Sequence, residues 1–257
     1  MIKPAFVKQG DAVTTVGRLF GTRVVVKGMT WLPAIQVIAT LLLAWLFGKR
    51  HPGYSRSRRL LTGAAAMPVV LGSEWCHNLA HAAAAQGVGK PMDAMRIFWG
   101  TPLLVYYDLE DPTVTPRQHI ARALGGPVFN MLVVPIAWRL RRRTRPGTLA
   151  RDVADAAVVA NAFIGTVGLL PIPGIDGGAI TKWTLVARGQ SPAQADMTVR
   201  GINGVLAAGL AAGAAAAFRG RRPWLGGLMV PFALTALAVA TGWLREQAPR
   251  EPSGPEA

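Results

Sequence analysis

The chain has 257 residues, of which 51% are apolar and only 16% charged, and its formal net charge is +15. The apolar residues form blocks about as long as a bilayer is thick, separated by Lys/Arg clusters, which excludes an ordinary soluble fold and favours a membrane-embedded helical bundle. The basic residues cap these blocks and form no stripe with interleaved aromatic residues, so they predict contacts with the lipid bilayer and exclude nucleic acid as a partner.

The predicted elements begin with residues 12–26, whose β-branched residues, broken by glycine, favour a strand or hairpin ahead of the membrane. The N-terminal segment 1–30 lacks the apolar stretch of a signal peptide, and we predict that it belongs to the mature protein. Residues 31–245 are predicted to form one membrane domain. The Pro- and Glu-rich residues 246–257 are predicted to be a disordered tail.

Six apolar blocks are long enough to cross a bilayer as helices. They are residues 31–48, 60–86, 118–138, 153–170, 202–218 and 224–244. Residues 95–107 are too short to cross and are interrupted by Gly100 and Pro102, so they predict a hairpin or re-entrant segment against the bundle. The predicted fold class is therefore an all-α polytopic membrane protein with about six transmembrane helices and a small β element.

The second block is unusual because it carries Ser73, Glu74, His77, Asn78 and His81 among apolar residues. A polar group at membrane depth costs several kcal/mol unless it is paired or metal-bound, roughly 2.5–3.5 kcal/mol for a central acid. His77 and His81 are one helical turn apart on one face, the spacing by which H-E-x-x-H sequences bind zinc. Hydrogen bonds to neighbouring carbonyls would satisfy the same pair, so the spacing alone leaves both interpretations open.

Asp176 lies in the sequence LLPIPGIDGG, where prolines and glycines break the helix at membrane depth. Such irregular backbone is tolerated only where it is buried in protein or lines a wet cavity. A carboxylate there is a candidate third ligand, and two imidazoles with one carboxylate leave the fourth tetrahedral position of Zn²⁺ open for water. The alternative is a turn or helix-cap residue, which the Asp-Gly pair also fits.

Three motifs, in this order, resemble those of the site-2 protease family of intramembrane metalloproteases. Residues 76–85 (CHNLAHAAAA) resemble the family's H-E-x-x-H helix, and residues 116–134 (PRQHIARALGGPVFNMLVV) resemble its glycine-proline segment followed by asparagine. Residues 169–178 (LLPIPGIDGG) resemble its third motif. The resemblance covers roughly residues 18–185, and its most specific parts are the third motif and the order of all three.

The resemblance implies one zinc ion per chain, held by His77, His81 and Asp176. It places Asn130 at the family's polar position, where the residue would contact the unwound substrate strand. It further implies that the substrate is a transmembrane segment of another protein, and that the β element lies near the active-site face.

Two residues depart from the family pattern. Asn78 stands where the family has its catalytic glutamate, and Gly168 stands where it has an asparagine before the third motif. An amide cannot accept and return a proton near neutral pH. Because general acid–base help is worth about 10²–10⁴ in rate, Asn78 alone would silence a protease while leaving its metal in place. Asn161, two turns before Gly168 on the same helix face, is a candidate replacement for the missing amide.

Glu74 is the nearest acidic residue that could compensate for Asn78. One interpretation is a general base that has migrated one turn along the helix. Helical side chains tilt toward the N-terminus, however, which favours Glu74 as the acceptor of the far ring proton of His77. A position near the lipid headgroups is the third interpretation.

The leading functional hypothesis is a zinc-dependent intramembrane metalloprotease in a multi-pass protein of the cell membrane. The alternative is a catalytically inactive pseudoprotease that binds membrane helices without cutting them. A transporter would explain the polar helix but not the three ordered motifs. Lys and Arg divide fourteen to fourteen between the two sides of the predicted bundle, so their number does not set its orientation.

Overall fold

The computed structural model describes residues 10–244 and contains four strands, one 3-10 turn and seven helices within that range. In chain order they are β1 (Thr14–Leu19), β2 (Thr22–Val26), the 3-10 turn (Gly28–Trp31), α1 (Ala34–Arg50), α2 (Arg56–Gly87), β3 (Ala94–Phe98), β4 (Thr101–Val105), α3 (Pro116–Arg143), α4 (Leu149–Val167), α5 (Asp176–Ala187), α6 (Pro192–Arg219) and α7 (Pro223–Ala240). The tail predicted at 246–257 lies outside the described residues.

The chain divides into two compact units. The first comprises residues 10–114 and 121–168 of the described range, and therefore the sheet, α1, α2, α4 and most of α3. The second comprises residues 115–120 and 169–244, and therefore α5, α6 and α7.

The sheet of the first unit has the order β1-β2-β3-β4, with β2 and β3 parallel and the outer pairs antiparallel. Each antiparallel pair is a hairpin with a two-residue loop, Phe20–Gly21 in one and Trp99–Gly100 in the other. All four loop residues have positive φ, which matches the turn geometry that follows the right-handed twist of strands. The predicted β elements at 12–26 and 95–107 are thus both confirmed as hairpins.

The sheet packs against the helix that carries the two histidines. Ala82 and Ala85 of α2 form a buried apolar cluster with Met92 and Met95, and Trp75 and Leu79 of the same helix cover it. Trp75 also donates its indole N–H to the carbonyl of Gly100 at 3.4 Å. One face of α2 therefore contacts the sheet, as expected for a β element near the candidate site.

The α1 and α2 helices pack closely because Gly63 removes a side chain at their contact. A Cβ at Gly63 would lie 2.6 Å from the carbonyl oxygen of Thr40 and 2.8 Å from the backbone nitrogen of Ala44. The α2 helix begins at an N-cap, Ser55, whose side chain accepts a hydrogen bond from the backbone N–H of Arg58. This contact starts α2 about six turns before its histidines.

In the second unit, the broken segment LLPIPGI packs on α6 and α7. Ile172 is fully buried with Ala207, Ala236 and Val239. Asn203 of α6, also fully buried, donates its side-chain amide to the carbonyl of Pro171 at 2.7 Å. That contact satisfies a carbonyl that the helix break leaves without a helical partner.

Within residues 10–244, three helices are long and apolar enough to cross a membrane, namely α3, α6 and α7. A helix also occupies each of the other three predicted blocks, but α1 has only 17 residues and α4 carries Arg151, Asp152 and Asp155 in its first turns. The membrane character of the chain is therefore supported, while the number of six spans stays a prediction.

Candidate metal centre

His77 and His81 lie one turn apart on α2, and both are buried. The Nε2 atoms of the two rings are 3.1 Å apart. The ring planes meet at 81°, with centroids separated by 4.7 Å. The pair therefore points two nitrogen atoms at one shared position, as the i, i+4 spacing predicts.

The opposite nitrogen of each ring contacts an acceptor. Nδ1 of His77 is 2.5 Å from Oδ1 of Asn130, and Nδ1 of His81 is 2.7 Å from the backbone carbonyl of Arg122. A carbonyl oxygen cannot donate, so each Nδ1 carries the ring proton. In the neutral ring of each histidine, Nε2 is then the atom that carries the lone pair, and it faces the shared position.

Two lone pairs facing each other at 3.1 Å repel unless a proton or a cation lies between them. Two nitrogen ligands on a tetrahedral zinc, each about 2.05 Å from the metal, would lie about 3.3 Å apart. The observed separation is close to that value. The donor set on α2 therefore fits a zinc ion, and a proton shared between the two Nε2 atoms would fit the same contact.

Asp176 is the first residue of α5 and is partly buried. His77 and His81 belong to the first unit and Asp176 to the second, and Asp176 as the third metal ligand stays a prediction. Around Asp176, the chain can fold back only because glycines follow it. A Cβ at Gly177 would meet the carbonyl of Leu170 at 2.3 Å.

Gly126, in the glycine-proline segment of α3, lies beside the histidines at a position where there is no space for a side chain. A Cβ at this position would lie 2.4 Å from Nε2 of His81 and 2.5 Å from Nε2 of His77. At the preceding residue, Gly125, a Cβ would lie 2.5 Å from the carbonyl oxygen of Ala80. The absence of these two side chains lets α3 lie directly against the ligand face of α2.

Asn78 is buried beside the histidines and turns its amide back along the helix. Its Nδ2 donates to the backbone carbonyl of Glu74 at 2.9 Å and lies 3.4 Å from Oε1 of the same residue. Nδ1 of His77 lies against Asn130, and the role of Glu74 as the acceptor of the far ring proton of His77 stays a prediction. The proposed role as a migrated base stays a prediction.

Asn130 is fully buried, and both of its polar side-chain atoms are engaged within the unit. Oδ1 faces His77, and Nδ2 donates to Oδ1 of Asn161 at 2.8 Å. The amide of Asn161 in turn contacts Ser73 of α2. The substrate-strand contact expected of Asn130 stays a prediction, and the observed contacts give this residue a role in holding His77.

Four residues that support the candidate site or the broken segment beside Asp176 were not assigned a role from the sequence. They are Ser73, Arg122, Gly126 and Asn203. A signal existed for two of them, because Ser73 is one turn before His77, and Gly126 is one turn before Asn130 on the same helix face. The contribution of Arg122 comes from its backbone carbonyl, and the amide of Asn203 is 32 residues from Pro171, so neither has a local pattern.

No protein-family profile matches the chain, and no curated protein matches it. Among solved structures, the chain is similar to the site-2 protease from Methanocaldococcus jannaschii, with a TM-score of 0.53 and 11% sequence identity. The match covers 94% of this chain and 99% of that one. It therefore spans most of this chain and essentially the whole of that one. The fold of the chain is therefore similar to that of a site-2 protease, and its apolar helices support a membrane protein.

Proposed function

We propose that this protein is a zinc-dependent intramembrane metalloprotease of the cell membrane that cuts a transmembrane segment of another protein. The observation that carries the proposal is the pair of Nε2 lone pairs converging 3.1 Å apart on one helix of a site-2-protease-like fold. Both tautomers are fixed by buried acceptors, which is the arrangement that zinc-binding histidines use. Six membrane-crossing helices and one zinc ion per chain are part of the proposal.

The proposed ligands are His77, His81 and Asp176, with the fourth position open to water. Bound zinc would lower the pKa of its water toward ~7 and polarise the scissile carbonyl. Gly126 leaves room at the ligand nitrogens for that chemistry.

Proton transfer is the step in which this chain departs from the family pattern. Asn78 occupies the position of the general base but can only donate or accept hydrogen bonds. Oε1 of Glu74 lies 3.4 Å from Nδ2 of Asn78, so a carboxylate is one hydrogen bond away from the position of the missing base. We propose that Glu74 moves the proton through water and that wild-type turnover is consequently slow.

The rival function is a pseudoprotease that binds membrane helices without cutting them. Asn78 and Gly168 favour it, since each replaces a residue that the family resemblance assigns to catalysis or substrate contact. The preserved geometry of the histidine pair argues for the enzyme, because binding a helix would not require two fixed tautomers.

The two functions are separated by a cleavage assay with purified protein in liposomes and a transmembrane model substrate carrying tags at both ends. We expect slow zinc-dependent cleavage by the wild type, and an increase of about 10²–10⁴ in Asn78→Glu because a general base is restored. His81→Ala, which removes a ligand, is the inactive control. If Asn78→Glu retains zinc yet neither it nor the wild type cuts any of several substrates, the pseudoprotease is the correct function.

A further inference from the structure

A chain of buried hydrogen bonds runs from α4 to the imidazole of His77. Asn161 donates to the carbonyl of Ala157 at 2.8 Å and to Oγ of Ser73 at 2.9 Å, and its Oδ1 accepts from Asn130 at 2.8 Å. Asn130 then accepts from Nδ1 of His77 at 2.5 Å. All four side chains in this chain, those of Ser73, His77, Asn130 and Asn161, are at most 8% exposed.

The contact between Asn161 and the carbonyl of Ala157 sets which group donates and which accepts in each hydrogen bond between Asn161 and His77. The carbonyl of Ala157 can only accept, so Asn161 must turn its NH₂ group toward it and its Oδ1 toward Asn130. Asn130 must therefore donate to Asn161, which leaves its Oδ1 facing His77. His77 then has to carry its proton on Nδ1.

His77 can adopt the other tautomer, with its proton on Nε2, if the side-chain amide of Asn161 is removed. An amide with no directing partner can rotate by half a turn and present NH₂ to His77. Nδ1 would then have to accept, the ring proton would move to Nε2, and the lone pair at the shared position would be lost. The identity of a residue on α4 thus decides whether a histidine on α2 can act as a ligand.

We propose that Asn161 is a positioning residue, which fixes the Nδ1–H tautomer of His77 through Asn130. Its importance for catalysis rests on the proposed zinc site, but the tautomer itself exists without metal. Ser73 has the lesser part, because its hydroxyl donates to the carbonyl of Val69 at 2.8 Å and can accept from Asn161 without deciding which way that amide faces.

The substitutions Asn161→Leu and Asn161→Asp distinguish an effect of Asn161 on hydrogen-bond direction from an effect of its volume on packing. Leucine keeps approximately the volume and removes both polar atoms. The introduced carboxyl group accepts from Asn130 in either protonation state, and in its neutral form it also donates to the Ala157 carbonyl, so the direction of the hydrogen bonds toward His77 is kept. A residue that acted only by filling space would tolerate leucine better than an acid in a buried site.

The first readout is the ¹⁵N resonance of His77 in metal-free protein labelled on histidine, held in detergent micelles at about pH 8.5, well above the usual imidazole pKa. We expect protonated Nδ1 in the wild type and in Asn161→Asp, and a lone pair on Nδ1 in a large fraction of Asn161→Leu. The chain has four histidines, and His77→Gln assigns the signal. Retention of the wild-type tautomer in Asn161→Leu would overturn the proposal.

The second readout is Co²⁺ affinity, followed by its visible spectrum. We expect a loss of about 10–100-fold in Asn161→Leu, and less than about threefold in Asn161→Asp and Ser73→Ala. Thr62→Val, which removes a buried hydroxyl on α2 for which no hydrogen-bond partner is seen among the described residues, is the matched control and should bind like the wild type. A loss in Asn161→Asp that equals or exceeds the loss in Asn161→Leu would show a packing role and refute the inference. A wild type with the expected tautomer that binds no Co²⁺ would refute the proposed zinc site and leave the tautomer inference standing.

Discussion

Replacing Gly126 with alanine should abolish metal binding while the fold is kept. The new Cβ would lie 2.4 Å from Nε2 of His81 and 2.5 Å from Nε2 of His77. Ordinary contact between non-bonded heavy atoms is about 3.5 Å, so the rings would have to withdraw by about 1 Å. Zinc–nitrogen distances tolerate only about 0.2 Å. The withdrawal is therefore about five times the tolerance, and we expect metal affinity to fall by more than about 100-fold.

The same substitution should also destabilise the protein, because adding a methyl group to a filled contact typically costs about 1–3 kcal/mol. Gly72→Ala is the matched control, since Gly72 lies on α2 and a Cβ there meets nothing within 4 Å. Alanine at a free helical position stabilises by up to about 1 kcal/mol. The two alanine substitutions should thus shift the thermal unfolding temperature in opposite directions.

The measurement is a Co²⁺ titration of both variants in detergent, followed by competition with Zn²⁺, with helix content checked by circular dichroism. Gly126→Ala should keep the helix content and lose the cobalt spectrum, and Gly72→Ala should keep both. If Gly126→Ala binds Co²⁺ within about threefold of the wild type, the shared position in front of the two Nε2 atoms is not where a metal binds. The site drawn from the histidine pair would then be wrong.

Four further outcomes are expected. Elemental analysis should give one zinc per wild-type chain and a sharp fall in His81→Ala; full occupancy in that variant would exclude the proposed ligands. Glu74→Gln should abolish the slow wild-type cleavage and change zinc affinity by less than about threefold, since Asn130 already supports His77; turnover that is indifferent to the change would refute its role as the base. Gly178→Ala should lower unfolding stability by about 1–3 kcal/mol, because its Cβ would lie 2.3 Å from the carbonyl of Ile172, whereas Gly209→Ala on α6 should be neutral or stabilising. Reporter fusions at Ser55 and at the C-terminus should report opposite faces, and the same face for both would contradict six spans.

Within the described residues, local pattern predicted both hairpins and six of the seven helices, but not α5. Glycine-broken β-branched residues predicted the first hairpin, the short block at 95–107 predicted the second, and apolar length predicted a helix at each block. The spacing of His77 and His81 likewise predicted their shared face, because 3.6 residues per turn brings i and i+4 together whatever surrounds the helix. These properties depend on backbone geometry and on the partition of side chains between lipid and water. Both can be predicted from a short segment of sequence.

The chemical state of the site was decided only by tertiary structure. Sequence reasoning gave the far nitrogen of His77 to Glu74, three residues away in sequence, but the folded chain brings Asn130 of α3 to it, and Asn161 of α4 behind that. A hydrogen bond requires two atoms within about 3 Å at a suitable angle, and residues 31 to 88 positions apart reach that distance only when helices pack. Residue spacing therefore identified which histidines could bind a metal, whereas helix packing determined which of their nitrogens faces the shared position.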